Sequence, residues 1–179
     1  MSDIKKDLQR HYIMSRVHSK NTKPEIKLRK ELWRLGFRYR INDKELPGSP
    51  DIVLPKYRTA IFIHGCFWHG HRNCKKYTVP KTNTEFWVSK VARNQERDQA
   101  VWRQLEAKGW KVIIVWECQV GKAIIQETIN IVASEIRKNG ELLIQEKRER
   151  QKSREEYQKE QKNKKERSRL LLSEIHSKV

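Results

Sequence analysis

Three cysteines and a cluster of histidines place a strong constraint on how this chain folds. Cys66 and Cys74 lie in the segment HGCFWHGHRNC, which also contains three of the six histidines. Cys118 is distant in sequence and directly follows the apolar stretch KVIIVWE. Four cysteine and histidine ligands are typical of a closed tetrahedral zinc site. The pattern predicts that the fold brings these two segments together around one structural zinc ion.

The spacing alone leaves the histidine ligand open. His69 and His71 both lie in the short stretch between Cys66 and Cys74, and only one of them is needed. An odd number of cysteines beside histidines argues for a metal and against disulfides. The alternative is a set of buried cysteines beside surface histidines. A site with four protein ligands has no open position for water, so this zinc would brace the loop and not catalyse.

The composition indicates a polyanionic partner. The 179 residues include 40 Lys and Arg against 22 Asp and Glu, a formal net charge of +18. Nucleic acid is the first candidate for such a chain. The alternatives are a ribosome-like or merely soluble basic protein and, more weakly, a protein of anionic membrane surfaces. No apolar run reaches spanning length and the N-terminus has no signal-peptide core, which predicts a cytoplasmic protein.

Periodic segments predict an α/β fold. The pattern Thr22-Lys23-Pro24-Glu25 is that of a capping box, which begins a helix that stops at Gly36. The remaining elements predicted are strands at 37–41, 51–54, 59–65 and 111–117, a helix over about 84–108, and an amphipathic helix ending at Asn139-Gly140. This order describes a small α/β sandwich with a mixed sheet flanked by helices, in which the second and third strands form a hairpin.

Three regions follow from the composition along the chain. Residues 1–20 form a polar and basic arm, and residues 21–144 form the folded domain. Residues 145–179 hold 12 Lys and Arg and 7 Glu, with little apolar content. This tail has no heptad pattern, so it is predicted to be either a solvated helix with internal salt bridges or a disordered basic segment.

Acidic residues and the histidines not used by zinc form a candidate catalytic group. His64 ends the strand AIFIH, and Asp51 opens the neighbouring strand. Asp98 and Asn94 share the core-facing stripe of the 84–108 helix. A carboxylate facing the core needs a partner. A free histidine would supply one, and an Asp–His pair is an arrangement used in general-base catalysis.

Each acidic residue also has a simpler explanation. Asp51 could be a turn residue, Glu25 could close the capping box, and Asp98 could pair with Arg93 or Arg97. In combination with paired histidines and a basic surface, however, these residues suggest metal-assisted phosphodiester hydrolysis.

Several segments carry a resemblance to a known family. SKNTKPEIKLRKELWRLGFRYR, LPGSPDIVLPKYRTAIFIHGCFWHGH, and TEFWVSKVARNQERD with GWKVIIVWEC resemble the very short patch repair (Vsr) DNA mismatch endonucleases over about residues 12–120. The resemblance implies a restriction-endonuclease-like fold with a structural zinc. It implies a Mg²⁺-dependent nick on the 5′ side of the thymine in a T:G mismatch, the lesion left when 5-methylcytosine deaminates. It further implies a monomer that acts on double-stranded DNA in the bacterial nucleoid, with other repair proteins acting downstream.

The resemblance also implies roles for individual residues. Asp51 and the main-chain carbonyl of Ile63 would bind Mg²⁺, and Glu25 would act through metal-bound water. His69 would be the general base, oriented by Asp98. His64 would contact the scissile phosphate. The zinc ligands would be Cys66, His71, Cys74 and Cys118, and the DNA contacts would come from Met14, Phe67, Trp68, Trp87 and Asn94.

The aromatic residues have two possible roles. Phe67, Trp68 and Trp87 could pack around the zinc, or they could wedge between base pairs at the mismatch, with Met14 entering from the other side. A wedge has to unstack a base step, which costs least where pairing is weak. Two other functions compete with mismatch nicking: a sequence-specific restriction-type endonuclease, and a non-catalytic zinc-braced DNA-binding module.

Overall fold

A computed structural model describes residues 20–176 of the chain, and their side chains as far as residue 165. Met14 and nearly all of the predicted arm, residues 1–20, lie outside the described residues. The chain divides into two compact units, one ending at Asn139 and the other starting at Gly140. None of the helices in the described range is both long and apolar enough to cross a membrane.

The first unit contains a small mixed sheet. Strand β1 (Ile52–Leu54) pairs antiparallel with β2 (Thr59–His64), and β2 pairs parallel with β3 (Lys111–Trp116). One turn of 3₁₀ helix over Pro55–Tyr57 connects β1 to β2, as the predicted hairpin requires. The mixed character of the sheet is therefore confirmed.

The strand predicted at residues 37–41 is wrong. Only Arg40 pairs with the sheet, through an isolated bridge to Val53. Phe37 turns into the core directly after the first helix, where its N–H bonds to the carbonyl of Leu32. Ile41 is 50% exposed. Apolar and charged residues do alternate over 37–41. However, Phe37 is buried beside the first helix and β1 has only three residues, so a longer strand pairing does not form here.

Helices cover both faces of the sheet. They are α1 (Lys23–Arg34), α2 (Thr84–Ala107) and α3 (Ile125–His176). One core cluster joins α1 and the first part of α3 to the face of β2 that carries Ile61. A second, smaller cluster joins α2 to the opposite face, which carries Phe62. The two-face alternation predicted for β2 is confirmed, and it fixes which side of the sheet faces α2.

The predicted start of the first helix is confirmed, but its capping box and the predicted end of the last helix are wrong. Thr22 precedes α1, but its hydroxyl donates to the Glu25 side chain and caps no backbone N–H. The Glu25 carboxylate accepts instead from the N–H of Asn21, so no capping box forms. The helix predicted to stop at Asn139-Gly140 continues to His176. A glycine inside a helix costs only about 1 kcal/mol, and the residues after Gly140 are mostly strong helix formers.

Candidate active site and metal centre

The parallel pairing of β2 with β3 brings the two metal-binding segments together. His64 and Trp116 are partners at the carboxyl ends of these strands. Cys66 and Cys118 each follow two residues later, so both leave the sheet at the same edge. The distant cysteine is therefore brought close by strand register.

The cluster of Cys66, His71, Cys74 and Cys118 matches the geometry of a tetrahedral zinc site. All four ligand atoms lie within 4.8 Å of one another. The Nδ1 atom of His71 is 3.4 Å from the sulfur of Cys66 and 3.4 Å from that of Cys118. Zn–S and Zn–N bond lengths predict an N···S tetrahedron edge of about 3.5 Å. Of the two histidines left open by spacing, His71 lies with the cysteines.

The electrostatics of this cluster favour a bound cation. Burial raises the pKa of the Cys66 thiol to about 12, so its thiolate is disfavoured without a neighbouring positive charge. The backbone N–H of Lys76 lowers the pKa of Cys74. The ring of His71 stacks on Trp116, with centroids 4.1 Å apart and planes 1° apart. This stack fixes Nδ1 toward the sulfurs, and Trp116 was not predicted from the sequence.

His69 lies apart from the cysteines and pairs with helix α2. Its Nδ1 is 2.5 Å from Oδ2 of Asp98. One turn earlier on α2, Asn94 donates to the main-chain oxygen of Trp68 at 2.8 Å, and Gln95 donates to that of His69 at 3.1 Å. On the predicted core-facing stripe of α2, Asn94 therefore holds the loop after β2, and Asp98 orients His69. Arg97 is only a distant second partner of Asp98, at 3.7 Å.

His64 is buried beneath the same loop. It is 4% exposed, and its Nδ1 has no hydrogen-bond partner among the described residues. Burial, and then the neighbouring His69, lower the pKa of His64 to about 4. His64 is therefore neutral near pH 7, and its ring is a hydrogen-bonding group without charge.

Two carboxylates line the same cleft as the histidines, one from the first helix and one from the residue before β1. Oδ2 of Asp51 accepts a hydrogen bond from the N–H of Ile63 at 2.7 Å. The pKa of Asp51 is raised to about 6, mainly by burial and to a smaller extent by the charge of Glu25, while the hydrogen bond from the Ile63 N–H acts in the opposite direction. Glu25 is buried and accepts from the Asn21 N–H, the Thr22 hydroxyl and Arg29. Asp51 and Glu25 are therefore structured parts of this site, beyond a turn and a cap.

These groups line one cleft of about 880 Å³. Its lining includes Glu25, Asp51, His64, His69 and Asp98. Carboxylate oxygens are the ligands that Mg²⁺ prefers, and repulsion between two nearby carboxylates favours a cation between them. The donor set at Asp51 and Glu25 therefore fits a magnesium ion. The predicted catalytic residues, drawn from four separate segments, come together here.

Three aromatic residues form a cluster that reaches the cleft through Trp68. Phe67 lies 5.2 Å from Trp68 and 5.3 Å from Trp87, and the two tryptophans are 6.1 Å apart, measured between ring centroids. All three contacts are edge to face, and all three side chains are half-buried. Phe86, which was not predicted, packs on Trp87 and is 54% exposed. The rings thus support one another and keep part of their surface accessible.

The sequence analysis also missed a buried cation. Arg29 lies on the core-facing stripe of α1, one residue after Leu28 and four after Glu25. An arginine on an apolar stripe, four residues after a glutamate, is a signal that could have identified it.

Comparison with known proteins connects this site to a family. A profile of the family described as DNA mismatch endonuclease Vsr matches residues 2–76. Type II nicking enzyme V.NmeAIP of Neisseria meningitidis serogroup A is 51% identical over 138 residues, which cover 76% of this chain and 98% of the relative. Type II nicking enzyme V.XorIIP of Xanthomonas oryzae pv. oryzae is 44% identical over 120 residues, covering 67% and 88%.

The DNA mismatch endonuclease Vsr of Escherichia coli K12 is 42% identical over 118 residues, which cover 66% of this chain and 75% of the relative. The profile match includes three of the clustered zinc-ligand candidates, Cys66, His71 and Cys74, together with Glu25, Asp51, His64 and His69. The family resemblance found in the sequence is confirmed: the chain belongs to the Vsr family of DNA mismatch endonucleases, whose relatives named here are DNA-nicking enzymes.

Proposed function

We propose that this endonuclease nicks double-stranded DNA on the 5′ side of the thymine in a T:G mismatch, with Mg²⁺ as catalytic ion and Zn²⁺ as structural ion. One observation carries the proposal. The Asp51 carboxylate and the His69–Asp98 pair line the same cleft, beside the aromatic cluster of Phe67, Trp68 and Trp87. The cleft thus combines groups for hydrolysis with rings suited to a weakly paired base step.

In this mechanism His69 is the general base. Asp98 holds Nδ1, which leaves Nε2 to accept a proton from the attacking water. Phosphorus gains a bond to the water oxygen and loses its bond to the leaving sugar oxygen, which takes up a proton from solvent. Neutral His64 hydrogen-bonds to the scissile phosphate. The charge of Asp98 stabilises the His69 imidazolium that forms.

Asp51 and the main-chain carbonyl of Ile63 would hold the catalytic ion, and Glu25 would act on it through water. When bound, Mg²⁺ stabilises the charge that develops on the phosphate. The hydrogen bond from the Ile63 N–H fixes the orientation of the Asp51 carboxylate toward the cleft. Glu25 is buried, and hydrogen bonds from Asn21, Thr22 and Arg29 hold its carboxylate.

Mismatch selection rests on the aromatic cluster. Phe67, Trp68 and Trp87 wedge into the mispaired step, and Met14 contributes from the N-terminal arm. The cost of unstacking is about a few kcal/mol and is least where pairing is weak. Asn94 acts on DNA indirectly, because its side chain holds the main chain at Trp68.

The same proposal extends to the organisation of the protein. We infer a restriction-endonuclease-like core at residues 21–144, an N-terminal arm at residues 1–20 that contacts DNA, and a basic tail at residues 145–179. The enzyme acts as a monomer on the bacterial nucleoid in the cytoplasm, and other repair proteins process its nick.

The test compares two duplexes that differ only in a T:G or a T:A pair, each incubated with protein and Mg²⁺. A nick confined to the thymine strand of the mismatched duplex is expected, with none when Mg²⁺ is chelated. Asp51→Ala is the control for metal-dependent chemistry. It should abolish cleavage and preserve or tighten DNA binding, because it removes charge repulsion with the phosphate. Cleavage of both strands at a matched sequence would favour a restriction-type enzyme, and binding without cleavage would favour a DNA-binding module.

A further inference from the structure

Arg29 joins the two acidic residues of the candidate active site. Its Nη2 donates to Oε2 of Glu25 at 2.8 Å and to the main-chain oxygen of Asp51 at 3.1 Å. Its Nη1 donates to Oδ1 of Asn21 at 2.7 Å. One planar guanidinium therefore connects α1, the loop before it and the residue that precedes β1.

The environment of Arg29 is costly. The residue is 7% exposed, and its Nε is buried with no hydrogen-bond partner among the described residues. An unpaired buried donor and a buried charge both reduce stability. A Glu–Arg pair at positions i and i+4 stabilises a helix equally well on the surface, where neither cost arises. What the buried position adds is the hydrogen bond from Arg29 to the main-chain oxygen of Asp51.

The contact has a geometric consequence. Glu25 belongs to a helix and Asp51 directly precedes a strand, so no local secondary structure sets the distance between them. Two like-charged carboxylates also repel each other before a cation binds. The guanidinium opposes this repulsion, and its rigid fork makes directional contacts that an ammonium group does not reproduce.

We propose that Arg29 is a positioning residue of the nicking reaction, which fixes Glu25 and the Asp51 main chain relative to each other so that the Mg²⁺ ligands are in place before the ion binds. The inference rests on the proposed function, because it concerns the ion of that reaction. Ligands held in position by surrounding contacts bind without reorganisation.

The principal variant is Arg29→Lys, which keeps the charge and removes the fork. We expect the half-saturating Mg²⁺ concentration for nicking a T:G duplex to rise about tenfold, as for other partners that orient metal ligands. The single-turnover rate at saturating Mg²⁺ should fall about a hundredfold, typical of a small misplacement. A second readout uses Mg²⁺ alone: the rise in Tm that the ion gives the DNA-free protein should shrink.

Asn21→Gly keeps the proposal testable if Arg29→Lys does not fold. Asn21 has a φ of 54°, which glycine adopts readily. The substitution removes the side-chain oxygen that anchors Arg29 and keeps the Asn21 N–H that bonds to Glu25. The half-saturating Mg²⁺ concentration should shift in the same direction by a smaller factor.

Lys27→Met is the matched control. Lys27 is also a cation on α1 and also bonds to a distant main-chain oxygen, that of Val120 at 2.9 Å. Val120 does not line the cleft, whereas Glu25 and Asp51, the partners of Arg29, do. Its loss should lower Tm without changing the Mg²⁺ response.

The outcomes separate this inference from the proposed function. An unchanged Mg²⁺ dependence in both Arg29→Lys and Asn21→Gly, with only Tm lowered, would overturn the positioning role and leave Arg29 as a structural ion pair. An equal shift of the half-saturating Mg²⁺ concentration in Lys27→Met would also overturn the positioning role. The shift would then be explained by lower stability of the protein and not by the contacts of Arg29. A wild-type protein that fails to nick the T:G duplex with Mg²⁺ would overturn the proposed function instead.

Discussion

His64 and His69 stack face to face, with ring centroids 3.7 Å apart and ring planes 16° apart. Two imidazolium rings in this position would repel each other, so the pair favours a single charge. Burial lowers the pKa of His64 to about 4, whereas His69 has the Asp98 carboxylate at 2.5 Å. Of the two rings, His69 is the one that bonds to the Asp98 carboxylate, and the two histidines have different roles in the proposed reaction.

The first prediction concerns His69. His69→Ala should keep its zinc, its fold and its binding to a T:G duplex, because His69 lies outside the cysteine cluster. Its single-turnover nicking rate should fall about a hundred- to ten-thousand-fold, the range of positioned general-base catalysis. Asp98→Asn should have the same kind of effect, because it removes the orienting charge. Loss of zinc from His69→Ala would contradict the assignment.

The second prediction concerns His71. His71→Ala removes a candidate zinc ligand, so metal content and Tm should fall together. Cys118→Ser should behave in the same way, because it removes the ligand that connects β3 to the loop. Elemental analysis of the purified variants measures the metal content, and a thermal melt measures Tm. About one zinc per chain is expected in the wild type. A folded wild-type protein without zinc would refute the structural role.

The third prediction concerns the aromatic cluster. Trp68→Ala should weaken binding to the T:G duplex by about 1–3 kcal/mol, the range for stacking of a base on an aromatic side chain. The matched control is Trp33→Ala, since Trp33 is 53% exposed on α1 and does not line the cleft. Fluorescence anisotropy with T:G and T:A duplexes gives both affinities. Equal mismatch affinity in wild type and Trp68→Ala would favour a packing role for this ring.

The fourth prediction concerns the tail. Nearly all of residues 145–165 are exposed. Their basic side chains can therefore contact phosphates, which carry no sequence information. Removal of residues 145–179 should weaken DNA binding and flatten its dependence on salt, while the preference for T:G over T:A is kept. Loss of that preference in the truncated protein would mean that the tail reads the mismatch itself.

Elements with a strong local signal could be predicted from the sequence. The helical period of apolar residues in α2 predicted that Asp98 and Asn94 face the core, and the alternation in β2 predicted the face on which His64 lies. Both periods depend only on side-chain direction along one element. Gly140 shows the limit of local signals. A glycine stops a helix where it adopts a left-handed conformation, and Gly140 does not adopt one.

The sequence by itself determined the family and predicted the ligand types and the catalytic residue types, because each of these depends on the identity and spacing of residues. Spacing left His69 and His71 open and the family resemblance favoured His71; the tertiary structure gives the physical reason, because it places His71 with the cysteines. Parallel pairing of β2 with β3 carries Cys118 to Cys66, and the stack on Trp116 turns His71 toward them. The tertiary structure also decided the contact between Arg29 and Asp51. These residues are 22 positions apart, and their contact depends on how a helix packs beside a strand. Contacts between distant segments are set by packing, which periodicity along one element does not specify.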